Sequence, residues 1–358
     1  MRSSRRPRVA LVVLAVTLGP AVVPVVGAAS AAGCSGVTRS GSWTAARTPG
    51  GSVVHATLPS RPSTSYVSDG IRVSRTTDGG CTWRQVWRVP ASRSATLPYD
   101  AATAQVVALA VPSAPSAAAR VLAVVQDGLD GSETSTGATL EGRLHLVRSE
   151  DGGGSWTSGD SGLVTTSRNV RREQVDAAGS GRCGDVRGCV LRIAPSDPDV
   201  VYLATETTPL LPGRLHRSAD GGRTWEPRAS LVQPSGTQAP GGLGSLAVDP
   251  GDPDVLWGKV GGRLGQSRDG GQSWRTVHDG SAYGDLLTLQ GGQGRPTRVL
   301  HLLQDPQGKP QSVAARALRS DDGGVGFRPA DLSGLQGQRT DSIAGGPRPD
   351  DLVALTAS

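Results

Sequence analysis

Along this chain, short apolar runs stop at turn residues and start again. LRIAPSDPDVVYLAT (191–205) is an apolar stretch, a Pro/Asp turn and a second apolar stretch, and GSLAVDPGDPDVLWGKV (244–260) repeats the order. Weaker copies are VVALAVPSAPSAAARVLAVV (106–125), LLTLQGGQGRPTRVLHLL (286–303) and DSIAGGPRPDDLVALTA (341–357). Each run is too short for a stable helix and rich in β-branched residues. Each pair therefore predicts two antiparallel strands joined by a tight turn.

A second pattern follows these pairs. Five segments align without gaps: TTDGGCTW (76–83), SEDGGGSW (149–156), SADGGRTW (218–225), SRDGGQSW (267–274) and SDDGGVGF (320–327). The shared box reads S/T-x-D-G-G-x-S/T-W, and only Gly326 and Phe327 of the last copy depart from it. Its Asp can accept backbone N–H bonds within its own turn. Its glycines permit positive φ at a tight hairpin. Its Trp can bury a large apolar face against a neighbouring unit. One unit is thus a strand, a Pro/Asp turn, a strand, a variable loop, a strand, a box and a strand. Four antiparallel strands per unit, repeated around a ring, predict a β-propeller blade.

Composition supports an all-β chain. The 358 residues include 50 Gly and 25 Pro, too many to sit inside long helices, while 36% hydrophobic residues suffice for a core. No G-X-Y period appears, which removes collagen.

The boxes resemble the Asp-box, or BNR, repeat. With the preceding strand pair they resemble sortilin-type, xyloglucanase-type and photosystem II assembly-factor-type propellers and, more distantly, sialidases, over about residues 40–358. The resemblance implies a single all-β propeller. It also implies that Asp78, Asp151, Asp220, Asp269 and Asp322, with Trp83, Trp156, Trp225, Trp274 and Phe327, shape peripheral turns rather than catalyse. It does not choose a function, because such propellers serve as enzymes, receptors and assembly factors.

Five boxes count five blades. A sixth unit begins at Asp341 and has two strands without a box. RSGSWTAA (39–46) resembles the end of a box and its following strand, as in GGQSWRTV (270–277). With Trp43 leading the outer strand of the last blade, the two ends of the chain close a ring of six. The alternative is seven, with a degenerate blade within 84–148 or a truncated C-terminus.

The N-terminus predicts export. MRSSRRPR is a cationic leader, residues 9–28 are apolar, and Ala29-Ser30-Ala31 offers a cleavage site, so 1–32 is expected to be a signal peptide and 33–358 the propeller. An uncleaved anchor and lipidation at Cys34 are the competing readings. Formal charge is +6, with 37 Lys+Arg against 31 Asp+Glu; losing Arg2, Arg5, Arg6 and Arg8 leaves 33 against 31. That near-balance removes the argument for nucleic acid. Four cysteines in an exported chain suggest two disulfides. Cys183–Cys189 is the local choice and leaves Cys34–Cys81.

In a four-stranded blade, the first-to-second and third-to-fourth turns share one face. Both are short here. The long segments, 126–143, 157–190 and 205–213, fall on the other face and are the expected binding region. The candidates there are Asp127, Asp130, Glu133, Arg171, Arg172, Glu173, Asp185, Arg187 and Glu206. No catalytic residue, cofactor or metal is assigned. Sialidase likeness would require an arginine triad opened by an F/Y-R-I-P string and a Tyr–Glu nucleophile pair, and neither is found. The expectation is an exported, non-catalytic binding or assembly scaffold, monomeric, meeting an unknown protein or glycan of the cell envelope, with no nucleic acid and no membrane span in the mature chain. The alternative is a sialidase-like or other glycoside hydrolase.

Overall fold

The computed structural model describes residues 9–15, 37–40, 43–49, 54–61, 63–89, 104–126, 130–134, 137–170, 189–205, 214–230, 246–260, 263–278, 286–289, 297–303, 316–330, 339–345 and 351–357. They are strands and turns, with a single 3-10 turn at Pro115–Ala117 among the described residues. Three strands precede the first four-stranded sheet: β1 (Val9–Ala15), β2 (Val37–Ser40) and β3 (Trp43–Arg47). The first sheet is β4 (Val54–Thr57), β5 (Ser65–Ser68), β6 (Arg72–Thr76) and β7 (Arg84–Arg88). The second holds β8 (Gln105–Ala110), β9 (Val121–Gln126), β10 (Asp130–Thr134), β11 (Gly137–Ser149) and β12 (Thr157–Val170). The third is β13 (Cys189–Ile193), β14 (Val201–Thr205), β15 (Arg214–Ser218) and β16 (Glu226–Ser230). The fourth is β17 (Leu246–Val248), β18 (Leu256–Val260), β19 (Arg263–Ser267) and β20 (Arg275–His278). The fifth is β21 (Leu286–Leu289), β22 (Arg298–Leu303), β23 (Arg316–Ser320) and β24 (Arg328–Ala330). β25 (Arg339–Gly345) and β26 (Asp351–Ala357) begin the sixth sheet.

All these pairings are antiparallel, as short turns between consecutive strands require. The first strands touch in a cycle: β4 meets β8, β8 meets β13, β13 meets β17, β17 meets β21, β21 meets β25, and β25 returns to β4. The sheets therefore stand around a central axis, each with its first strand innermost.

Alternation along each strand decides where the cores lie. On β9, Val121, Ala123 and Val125 pack with Tyr66 and Val73 of the first sheet, whereas Leu122 and Val124 pack with Leu191 and Leu203 of the third. In the second sheet β8 and β9 are buried on both faces, so these two strands read as continuous apolar runs rather than alternating ones. Tyr202, Leu215 and Leu256 fill the space between the third and fourth sheets, and Trp257, Leu264 and Val299 that between the fourth and fifth.

The sixth sheet joins the two ends of the chain, with strand order β25-β26-β1-β3-β2. The segment at Trp43 does lie in the sheet made by β25 and β26. The place between β26 and β3, however, is held by β1, whose residues belong to the stretch expected to be a signal peptide.

Candidate binding face

The topology gives the ring two unlike ends. At one end lie the turn between first and second strands and the box between third and fourth. In four of the boxes the hydroxyl of the leading Ser bonds the Asp, and in the first box Thr76 does so: Ser149 Oγ to Asp151 Oδ1 is 2.8 Å. The amide of the second Gly donates to that same hydroxyl oxygen, at 2.8 Å for Gly153. The second hydroxyl donates to the other carboxylate oxygen, at 2.7 Å for Ser155 and 2.6 Å for Thr224. Both box glycines have positive φ, +73° and +95° at Gly152 and Gly153.

These bonds set the acidity of the box aspartates. Burial at Asp78, Asp220 and Asp269 opposes ionisation, but the hydroxyl and amide bonds from Thr82, Thr224 and Ser273 outweigh it and hold each carboxyl at about 2. Asp151, bonded first by the Ser155 amide and hydroxyl, lies well below the usual range. The fifth box has Gly326 where the others have a hydroxyl. Asp322 is held by the amides of Gly326 and Val325 and the hydroxyl of Ser320, and is lowered too.

Each box is also locked to its surroundings. The amide of the first Gly donates to the Pro/Asp turn of its own sheet: Gly221 to Asp199 O at 2.8 Å, Gly270 to Asp254 O at 2.9 Å. The carbonyl of the first Gly accepts from the preceding sheet: Arg75 Nη1 to Gly152 O at 2.9 Å, Arg148 Nη1 to Gly221 O at 3.3 Å, Gln266 Nε2 to Gly323 O at 3.3 Å. The second Gly meets an apolar side chain of the preceding sheet, and a Cβ there would overlap Leu146 at Gly222 and Leu215 at Gly271. The box indoles complete the seam. Trp156 donates to Gly153 O at 3.2 Å and lies tilted against Trp87, 5.7 Å between ring centroids. The residue before the box carries this seam, being Arg75, Arg148, Gln266 and, in the third sheet, Arg217 beside Tyr202 and Asp254. The aligned motif begins one residue later; its signal is the Arg that precedes four of the five boxes.

The fifth sheet gathers arginines on this end. Asp321 accepts from Arg298 at 2.8 Å, Arg319 at 2.8 Å and Arg328 at 2.6 Å. Burial works against the charge, yet these bonds hold the carboxyl far below its ordinary value.

The other end is built differently. β11 has 13 residues and β12 has 14, against 5 in β15 and β19. β9 covers only the Leu144–Ser149 half of β11. The remainder of β11 pairs with β10 on one edge and β12 on the other, from Thr134↔Gly137 to Asp130↔Glu141 and from Ala138↔Val170 to Leu144↔Leu163. At about 3.3 Å per residue this three-stranded arm runs roughly 20 Å beyond β9, away from the boxes. Much of 126–143, expected as a loop, is therefore a hairpin, and 157–170 is a strand. The alternation signal was hidden because Gly, Ser and Thr fill these positions.

The structure places two of the candidate residues in the arm, Asp130 and Glu133 on β10. Asp127, Arg171, Arg172, Glu173, Asp185, Arg187 and Glu206 lie outside the described residues, as do Cys34 and Cys183. No free cysteine occurs among the described residues.

Two further residues stand on the innermost strands. Arg192 on β13 donates to Leu246 O of β17 at 2.9 Å. His55 on β4 is partly buried; burial and then the charge of Arg192 push its pKa down to about 4. Neither carried a sequence signal, because only the ring brings the innermost strands of the first and third sheets close enough for Arg192 to act on His55. Among the described residues no cluster of His, Cys, Asp and Glu could hold a metal ion, and no helix is long and apolar enough to cross a membrane.

No protein-family model matches the chain, and no curated protein sequence matches it. Among solved structures it is similar to a GH74 enzyme of Niastella koreensis, 17% identical over 84% of this chain and 36% of that one, TM-score 0.46. It is similar to YCF48 of Cyanidioschyzon merolae, 14% identical over 86% and 96%, TM-score 0.40. It is also similar to the K499G mutant of the NanB sialidase of Streptococcus pneumoniae, 11% identical over 84% and 64%, TM-score 0.47. The chain spans about a third of the GH74 enzyme's length.

Proposed function

We propose that this chain is an exported, six-bladed propeller that binds a protein or glycan of the cell envelope and does not turn it over. The observation that carries this reading is the asymmetry of the two ends. The box end uses its polar groups on itself and on its neighbours, while the opposite end projects a three-stranded arm bearing Asp130 and Glu133. A rigid scaffold with an extended surface on one face is a binding device. Export belongs to the reading and rests on the cationic leader, the apolar run and Ala29-Ser30-Ala31. The cysteine pairs Cys34–Cys81 and Cys183–Cys189 belong to it as well. The test is a glycan array and a chromogenic-glycoside screen on residues 33–358, beside the Asp130→Ala/Glu133→Ala variant. Binding without hydrolysis, weakened in the variant, agrees with it. Hydrolysis well above the blank refutes it and favours the glycoside hydrolases.

A further inference from the structure

The middle strand of the sixth sheet comes from the stretch expected to be a signal peptide. β1 pairs with β26 from Val9↔Ala357 to Ala15↔Asp351, and with β3 from Ala10↔Arg47 to Leu14↔Trp43. Among the described residues no other ladder joins β25 and β26 to β2 and β3. Loss of residues 1–32 therefore leaves two separate hairpins, β25–β26 and β2–β3, with an open place between them. At about 3.3 Å per residue a strand of that length needs roughly 23 Å. Backbone amides and carbonyls edge the place on both sides.

The chain's own strands are ill suited to fill it. β3 and β26 are both antiparallel to β1, so they run parallel to each other. Direct contact between them would replace two antiparallel ladders with one parallel ladder, which is less stable per residue. β2 runs in the needed direction, but it pairs with the far edge of β3, from Val37↔Ala46 to Ser40↔Trp43, through a two-residue connection. It enters only if the hairpin turns over, and that exchanges the two faces of β3. A strand from another molecule meets neither obstacle.

The register says what such a strand must be. In the first, third and fourth sheets the second residue of the third strand is buried: Val73 opposite Ser68, Leu215 opposite Ala204 and Leu264 opposite Lys259. In the sixth sheet the corresponding place lies opposite Leu355, and Leu11 of β1 takes it. β1 reads VALVVLA, without Pro, Gly or charge.

We propose that the place vacated by the leader binds an extended segment of a partner protein. The segment is about seven apolar, proline-free residues. It adds as the third strand of the last blade, antiparallel to β26, with a large apolar residue opposite Leu355. Main-chain bonds on two edges supply affinity, and the place opposite Leu355 supplies selectivity. The leader keeps the site filled until export removes it. This rests on the export reading above and makes the partner at this site a protein rather than a glycan.

The experiment uses the protein as secreted, with a synthetic peptide of residues 5–16 as the probe; Arg5, Arg6 and Arg8 keep it soluble. Mass analysis first reads the N-terminus. A retained leader overturns the export reading and the open place with it. In the cleaved protein the amides of 43–47 and 351–357 that face the open place should exchange fast, and the peptide should slow them tenfold or more. A peptide with Val12→Pro, which removes a donor, or Leu11→Asp, which puts a charge at the buried place, should bind at least tenfold more weakly. If those amides are already slow without peptide, the chain closes the sheet itself, and the proposal fails while export stands. Equal binding of the native and Val12→Pro peptides overturns it as well. Should the cleaved protein not fold unaided, refolding with the peptide must recover it, and no recovery is a third refutation.

Discussion

Gly222→Ala is the sharpest perturbation of a seam. Gly222 has φ +90°, and its added Cβ would overlap Cδ2 of Leu146, a buried side chain in the core between the second and third sheets. The left-handed backbone costs an L residue about 1–2 kcal/mol. Overpacking a filled core costs about 1–3 kcal/mol more. Removing a glycine from the unfolded chain returns about 0.4–1 kcal/mol. The net expectation is a loss of about 2–4 kcal/mol, read by urea denaturation of residues 33–358. Leu146→Ala in the same chain should recover the overlap part only, so the double mutant should be more stable than the sum of the two singles by at least about 1 kcal/mol. Gly251→Ala is the control. Its Cβ meets only Asp249 Oδ1 at 3.5 Å and its φ is unexceptional, so it should be neutral or slightly stabilising. A Gly222→Ala loss below about 0.5 kcal/mol, or strict additivity with Leu146→Ala, would refute the seam as described.

Arg75→Ala removes the 2.9 Å bond to Gly152 O across the first seam and should cost about 1–2 kcal/mol in the same assay. Trp225→Ala leaves a half-filled space beside Leu146 and Leu203 and should cost about 2–4 kcal/mol. Acid should act in two stages. His55 titrates near 4 when folded and near 6.5 when unfolded, so the unfolded chain binds the extra proton and stability falls as pH drops from about 6.5 to 4; His55→Gln should flatten that limb in pH-dependent denaturation. The box aspartates are depressed in the fold, so their contribution is full above their ordinary value of 3.8 and is lost as pH falls through about 2; Asp220→Asn should shrink that second limb.

Much of this molecule was legible in one dimension. The five boxes and the Pro/Asp turns declare hairpins through local chemistry, since a carboxylate bonding its own turn and glycines at positive φ need no distant partner. Repetition of the unit then implies the ring. The joining of the chain's two ends was legible because SGSW copies part of a box. Other features were settled only by folding. The seam bonds join residues such as Arg75 and Gly152, 77 positions apart, and depend on the distance between sheets rather than on any local preference. His55 acquires its low pKa from burial and from an arginine two sheets away. The arm of β10, β11 and β12 is written in Gly, Ser and Thr, residues that read as loop until a neighbouring strand supplies the hydrogen bonds. In the last sheet the copied motif points to the strand at Trp43, whereas only the structure shows which segment lies between it and β26.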